Sequence, residues 1–201
     1  MKETLARLIT NVFNPFMVGF VIIVLLAFEG TDTTADALKW AAISLALSVL
    51  PVLAAVIFLV RRKKLDGIFE NPRGQRIGVY ALALALGILG WWLLCYLNAP
   101  EGLEATFAAG AAAVLVFAVI NIFWKISVHA AFLAGAIVIL IIIYGTAGAW
   151  SILLLPPVIW ARVELKQHSW LQTIIGAVIA AAVVILVFGL FGGAGLRVVF
   201  E

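Results

Sequence analysis

The sequence has little charge, one cysteine and two histidines. Charged residues make up 11% of its 201 positions, whereas soluble domains carry about 25%. The single cysteine, Cys95, excludes a disulfide framework within the chain. Because 66% of the residues are hydrophobic, the composition excludes an ordinary soluble domain and indicates an integral membrane protein.

Seven apolar stretches divide the chain. They cover roughly residues 8–28, 37–60, 77–97, 104–122, 127–145, 148–161 and 170–191. A helix needs about 20 apolar residues to cross a bilayer, so the sixth stretch is short, and its paired prolines, Pro156 and Pro157, predict a kink or a break. Backbone groups in lipid must be satisfied internally, and these stretches are too long for barrel strands. We therefore expect an all-α fold, a polytopic transmembrane helical bundle of six to seven membrane helices in one domain, 1–201.

The distribution of positive charge predicts the orientation. Counted over seven crossings, the amino terminus and the loops at 61–76, 123–129 and 161–168 lie on one side of the membrane. Of the 13 Lys and Arg residues, all but Lys39 and Arg197 fall on that side, so the positive-inside rule makes it cytoplasmic. Both histidines then face the cytoplasm. The small chain, without eukaryotic-style signals, fits the cytoplasmic membrane of a prokaryote.

Both histidines lie in short polar islands between apolar stretches. The first island is Lys125, Ile126, Ser127, Val128 and His129, and the second runs from Arg162 across five residues to His168 and on to Gln172. Ser127 is a natural N-cap, and a helix N-terminus attracts anions. Arg162 and Arg76 add planar forks for phosphate oxygens, and Lys125 adds a point charge. The islands therefore predict a phosphate site that needs neither a metal nor a cofactor.

Two imidazoles in one site permit a double displacement at phosphorus. One attacks the phosphorus atom and the other protonates the leaving oxygen, and histidine suits both roles because its pKa lies near neutrality. His168, Gln172 and Gly176 are spaced four apart, which predicts one face of the last helix. On that face Gln172 would orient His168 by a hydrogen bond to one ring nitrogen. Trp124, Trp160 and Trp170 bracket the islands, as interfacial anchors do.

These islands resemble two motifs of the type 2 phosphatidic acid phosphatase family, membrane relatives of the vanadium haloperoxidases. The family's third motif is similar to Arg162, five residues and His168. Its second motif, usually Pro-Ser-Gly-His, resembles the segment from Ile126 to His129, with serine and histidine kept at the same spacing. The resemblance covers roughly residues 61–180, which we expect to be the catalytic core.

The resemblance implies a role for each matched residue. It implies His168 as the nucleophile that forms a phosphohistidine and His129 as the general acid. It also implies Lys64, Ser127 and Arg162 as phosphate ligands.

The first family motif, Lys followed by six residues and Arg-Pro, is the one that this chain keeps least. Lys64 is followed at that spacing by Asn71 and Pro72, so the arginine is missing. Arg73 or Arg76 would supply the guanidinium from a shifted position.

The third motif also departs from the family pattern. Gln172 stands where the family has an acid, and an amide can fix the imidazole tautomer but cannot stabilise an imidazolium by charge. A second carboxylate would have to come from elsewhere, such as Glu164 or Asp66. Activity would be lower without it.

Functions from two classes stay open. The first is a phosphatase that hydrolyses a lipid phosphate or an isoprenyl diphosphate, with isoprenyl diphosphates, phosphatidic acid and phosphatidylglycerol phosphate as candidate substrates. The second is a non-catalytic lipid-phosphate binder or transporter, which Gln172 keeps open. A phosphotransferase would use the same pocket but pass the phosphoryl group to an alcohol. We expect lipid or prenyl phosphates and membrane lipids as partners, and no nucleic acid, because the basic residues serve the loops of a membrane bundle.

Overall fold

A computed structural model describes residues 1–69 and 71–191. The α-helices within these ranges are α1 (Lys2–Val12), α2 (Pro15–Glu29), α3 (Thr34–Leu47), α4 (Val49–Arg61), α5 (Arg76–Tyr96), α6 (Glu101–Phe123), α7 (Val128–Tyr144), α8 (Thr146–Ala149), α9 (Leu155–Glu164) and α10 (Trp170–Phe191). Short 3-10 turns, Arg73–Gln75 and Trp150–Leu154, precede α5 and α9. No strand occurs in the described ranges, and the predicted all-α fold is confirmed. Arg197, used above for the orientation, lies outside the described residues.

Six helical stretches of the described chain are long and apolar enough to cross a membrane. They are Lys2–Glu29, Thr34–Arg61, Arg73–Tyr96, Glu101–Phe123, Thr146–Glu164 and Trp170–Phe191. The prediction that the sixth apolar stretch is short was wrong, because its helix continues through Arg162 to Glu164 and the stretch reaches 19 residues. The short one is α7, whose 17 residues meet the lower limit of about 17 for a membrane helix.

Prolines mark two of the interruptions within these stretches. Asn14 Oδ1 accepts a hydrogen bond from the N–H of Met17 over 3.0 Å, so Asn14 caps α2, and Pro15 opens that helix. Pro156 and Pro157 lie in the first turn of α9 and follow a 3-10 turn. A proline is tolerated in a first turn because its missing N–H would have no partner inside the helix. The predicted break in the sixth stretch is therefore confirmed.

The described residues form two compact units. The first combines Met1–Gly19 with the chain from Lys125 onward, and the second is Phe20–Trp124. In the second unit α5 packs against α6, and α3 packs against α4 and α5. A Cβ at Gly90 of α5 would overlap the ring of Phe107 of α6, so a residue without a side chain permits this close packing.

In the first unit α7 is the most deeply buried helix, and α8, α9 and α10 all pack against it. Ala130 and Ala134 of α7 form an apolar cluster with Ala177 of α10, and Leu155 and Ile159 of α9 pack against this cluster. Small side chains let the three helices approach closely. Helix α1 packs against α9. This packing positions the start of α7, the end of α9 and the start of α10, which are the segments that carry the two polar islands.

Candidate functional site

The second polar island is built on the turn that ends α9. Lys166 has a φ of 55°, which is the left-handed region. The N–H groups of Lys166 and Gln167 donate to the carbonyls of Val163 and Arg162 over 2.9 and 3.2 Å, a pair of bonds that defines a Schellman motif. The N–H of His168 donates to the same Arg162 carbonyl over 3.3 Å. The five-residue spacing between Arg162 and His168 therefore corresponds to one closed turn.

A capping box fixes the start of α10. Ser169 Oγ accepts from the N–H of Gln172 over 3.2 Å, and Gln172 Oε1 accepts from the N–H of Ser169 over 3.1 Å. Ser169 was missed as a functional residue, although Ser-x-x-Gln before an apolar run is the signature of this motif.

The capping box corrects one prediction about His168. Because Ser169 is the cap and α10 begins at Trp170, His168 precedes the helix and does not share a helical face with Gln172 and Gly176. The amide oxygen of Gln172 accepts from the N–H of Ser169, which leaves the second lone pair of that oxygen and the amide NH2 group to orient an imidazole. That orienting role stays a prediction.

Ser127 caps α7, as the sequence predicted. Its Oγ accepts from the N–H of Ala130 over 3.5 Å, and the helix begins one residue after the cap, so that His129 lies in the first turn. The segment before the cap runs against α10 at Gly176. A Cβ at Gly176 would come within 2.5 Å of Ile126 Cγ2 and 3.2 Å of the Ser127 carbonyl oxygen. Only glycine permits this approach without a shift of one of the two segments.

Two hydrogen bonds join the first island to the second. Lys125 Nζ donates to the carbonyl of Gln167 over 2.9 Å, and the N–H of Ser127 donates to the carbonyl of Gln172 over 3.3 Å. Together with the Arg162–His168 turn, these bonds bring six predicted site residues into one region. We call this group the polar cluster: Lys125, Ser127, His129, Arg162, His168 and Gln172.

The polar cluster is largely buried. Relative exposure is 1% for Arg162, 3% for His129 and 6% for His168, and Ser127 is fully buried. Removing a guanidinium from water is costly unless its hydrogen bonds and charge are compensated. A buried Arg and two buried His side chains in the helices of a membrane protein make this region a candidate functional site.

The charge distribution in the polar cluster suits an anion. Two helices, α7 and α10, begin there, and a helix N-terminus carries a partial positive charge of about half an elementary charge. Lys125 and Arg162 add two cationic side chains. Helix α9 ends there, but the Schellman bonds cover the carbonyls of Arg162 and Val163. A planar guanidinium, an ammonium and two helix starts can bind the several oxygens of a phosphate.

Three predicted phosphate ligands, Lys64, Arg73 and Arg76, belong to the second unit. Lys64 is exposed, and its N–H donates to the carbonyl of Leu59 over 2.9 Å within a second Schellman motif, which closes α4. Arg73 Nη1 donates to the carbonyl of Phe123 over 2.6 Å. Arg76 is buried, and its Nε donates to the carbonyl of Asn71 over 3.0 Å. The arginines thus hold the loop before α5 to its surroundings in this unit, and their binding of phosphate stays a prediction.

Asn71, which replaces the family arginine, closes that loop. Its side chain exchanges two hydrogen bonds with the backbone of Gly67, over 3.1 and 2.7 Å. Asp66 is likewise engaged, because its Oδ1 accepts from Gln75 Nε2 over 3.0 Å. Of the two carboxylates named as substitutes for the missing acid, only Glu164, the last residue of α9, lies in the same unit as the polar cluster.

In residues 1–69 and 71–191 no three side chains of His, Cys, Asp or Glu come together in a way that could hold a metal ion. In comparisons with known proteins, no family model, no curated protein and no solved structure matches the chain.

Proposed function

We propose that the protein is a membrane lipid phosphatase, a divergent member of the type 2 phosphatidic acid phosphatase family, which acts through a phosphohistidine without a metal. The observation that supports this most strongly is the burial of His129, His168 and Arg162 in one region, at two helix starts and one closed turn. A structural role explains one buried imidazole readily. Both histidines of the chain and a buried arginine lie in segments that hydrogen bonds join, which favours a common site.

The proposed reaction has two displacements. A ring nitrogen of His168 attacks phosphorus, the bond between phosphorus and the leaving oxygen breaks, and His129 gives that oxygen its proton. Water then attacks phosphorus, the phosphorus–nitrogen bond breaks, and the proton of the water passes to His129. Inorganic phosphate leaves, and both imidazoles return to their initial protonation states. Histidine can serve as nucleophile and as acid because its pKa lies near neutral pH.

The remaining residues of the polar cluster stabilise charge on the transferred group. In this proposal Arg162 binds two phosphate oxygens through its planar fork, and Lys125 adds a compact positive charge. The amino-terminal ends of α7 and α10 act in the same direction. In a buried site such interactions are stronger than in water and need no rearrangement as charge develops. Gln172 holds the start of α10, directly after the turn that carries His168.

The proposed substrates are lipid or prenyl phosphates presented at the cytoplasmic face of a prokaryotic membrane. Their anionic groups lie at headgroup depth. The polar cluster lies at the same depth when the start of α7, the end of α9 and the start of α10 are at the membrane interface. The excess of Lys and Arg on that side supports the orientation through the positive-inside rule.

A lipid-phosphate binder or transporter is the second candidate, and Gln172 favours it. The position where the family has an acid carries an amide, and this amide accepts the N–H of Ser169 over 3.1 Å. A site of this kind can bind a phosphate through Arg162 and Lys125 and release it unchanged. Whether the bound lipid loses its phosphate distinguishes the two candidates.

The test is phosphate release in detergent from geranylgeranyl diphosphate, undecaprenyl diphosphate and phosphatidic acid, with a chelator present. We expect wild-type protein to release phosphate and His168→Ala and His129→Ala to lose at least about 100-fold of the rate, the range for a lost acid or base. Lys39→Ala, which removes an exposed cation of the second unit, should keep the rate. Release that requires a metal, or that survives His168→Ala, would contradict the proposal. Binding without release would favour the second candidate.

A further inference from the structure

An apolar groove lies beside the polar cluster in the first unit. One wall comes from α9 and the turn before it, with Ile152, Leu155, Ile159 and Trp160, and the other comes from the start of α10, with Trp170 and Ile174. Its volume of about 410 Å³ falls in the range of roughly 300–1,000 Å³ that is typical of ligand clefts. We call it the apolar groove.

The apolar groove and the polar cluster are carried by the same helices, α9 and α10. Leu155, Ile159 and Arg162 are spaced four and three apart, so they lie along one face of α9. On the other wall Trp170 follows His168 by two residues. Leu155 and Ile159 rest on the alanine cluster that begins at Ala130, the residue after His129. A ligand with a charged head and an apolar tail matches this pair of neighbouring sites.

We propose that the apolar groove holds the hydrocarbon chain of the substrate while its phosphate occupies the polar cluster. The proposal rests on the phosphatase function. Lipid-facing helices have apolar surfaces everywhere, but this surface is concave, and its walls belong to the helices that carry Arg162 and follow His168. The two tryptophans, Trp160 and Trp170, have apolar rings with one polar N–H each, a type of side chain enriched where an apolar region meets a polar one.

The size of the apolar groove selects the class of lipid. At about 30 Å³ for a group of the size of a water molecule, its volume of about 410 Å³ holds roughly 14 such groups. That corresponds to one chain of about farnesyl length, or most of one acyl chain. A lipid phosphate with one chain, such as a prenyl diphosphate, therefore fills the apolar groove.

The experiment narrows the groove with Ile174→Trp. The matched control is Ile185→Trp, eleven residues further along α10 and so on the same helix face, where the side chain is also exposed. Phosphate release is measured from farnesyl diphosphate and from p-nitrophenyl phosphate, which has no chain. We expect Ile174→Trp to raise the KM for farnesyl diphosphate about tenfold, as for a misfitted apolar pocket, with kcat and the release from p-nitrophenyl phosphate unchanged. Ile185→Trp should change none of these values.

An unchanged KM for farnesyl diphosphate in Ile174→Trp, with release still lost in His168→Ala, would overturn the groove proposal and leave the phosphatase proposal standing. If the wild-type protein hydrolyses nothing, the phosphatase proposal fails. The groove is then tested by the binding of radiolabelled farnesyl diphosphate, which Ile174→Trp must weaken and Ile185→Trp must not. If Ile174→Trp does not fold, Ile174→Ala is used instead, because it removes part of the groove wall. Ile174→Ala should raise the KM for farnesyl diphosphate severalfold. An unchanged KM would count against the groove proposal.

Discussion

The contact between α10 and the segment before α7 predicts a large effect of one methyl group. In Gly176→Ala the new Cβ would lie 2.5 Å from Ile126 Cγ2 and 3.2 Å from the Ser127 carbonyl oxygen. Carbon atoms in ordinary contact are about 3.5–4.0 Å apart, so one of the two segments must move by about 1 Å. Ile126 is 1% exposed, and the other contact is to backbone, so neither gives way easily.

This displacement should affect stability and activity together. Overpacking of a tight contact destabilises by about 1–3 kcal/mol. The same shift loosens the hydrogen bond from the Ser127 N–H to the Gln172 carbonyl, which is 3.3 Å long, and moves His129 relative to His168. A misplacement of about 1 Å in a catalytic site can reduce the rate about 100-fold.

The assay compares Gly176→Ala with Gly189→Ala, which lies on the same helix where a Cβ would meet nothing within 4 Å. Thermal unfolding in detergent should show a lower Tm for Gly176→Ala, and phosphate release should fall by one to two orders of magnitude, on the order expected for a misplaced group. Gly189→Ala should match the wild-type protein in both measurements. Equal Tm and equal activity in the two variants would refute the close approach of α10 to Ile126 and Ser127.

Three further predictions follow from the turns and charges of the polar cluster. Gln172→Glu keeps an oxygen that accepts from the Ser169 N–H, so the Tm should be unchanged. The variant also adds the missing negative charge, so kcat should rise about tenfold or more. A fall in kcat would show that no carboxylate is needed at this position. Lys166→Gly removes a side chain from a φ of 55° and should raise the free energy of unfolding by about 0.5–1 kcal/mol. Gln167→Gly should lower the free energy of unfolding. A lower Tm for Lys166→Gly than for Gln167→Gly would contradict the Schellman motif. Arg162→Lys keeps the positive charge but loses the planar guanidinium, so the rate of phosphate release should fall at least about tenfold. A rate equal to that of the wild-type protein would exclude paired binding of phosphate oxygens by Arg162.

Much of the fold is predictable from the sequence because membrane spans depend on the length of an apolar run, a local property. The seven predicted stretches all contain helices of the structure, and Ser127 caps α7 because a cap depends on a few neighbouring residues. The length of the sixth stretch was underestimated, since helical hydrogen bonds continue through polar residues such as Arg162 and Glu164 once the helix has formed.

The geometry around His168 was harder to predict. The spacing of four residues to Gln172 indicated a shared helix face, but the capping box at Ser169 starts the helix after the histidine. The left-handed turn before it carries Lys166 where glycine is usual, so the sequence gives no signal for the turn. The bond from Lys125 ends on the carbonyl of Gln167, and a backbone acceptor has no sequence signature because every residue supplies one.

The phosphohistidine proposed at His168 can be trapped as a labelled protein. Wild-type protein and the His129→Ala and His168→Ala variants are mixed with farnesyl diphosphate labelled at the terminal phosphorus, quenched within the first turnover and analysed for protein-bound phosphate. We predict acid-labile, alkali-stable label on His168 in the wild-type protein, a slower appearance of that label in His129→Ala because the leaving oxygen is not protonated, and none in His168→Ala. Phosphate release without any protein-bound label, or label that persists in His168→Ala, would exclude a phosphohistidine at His168.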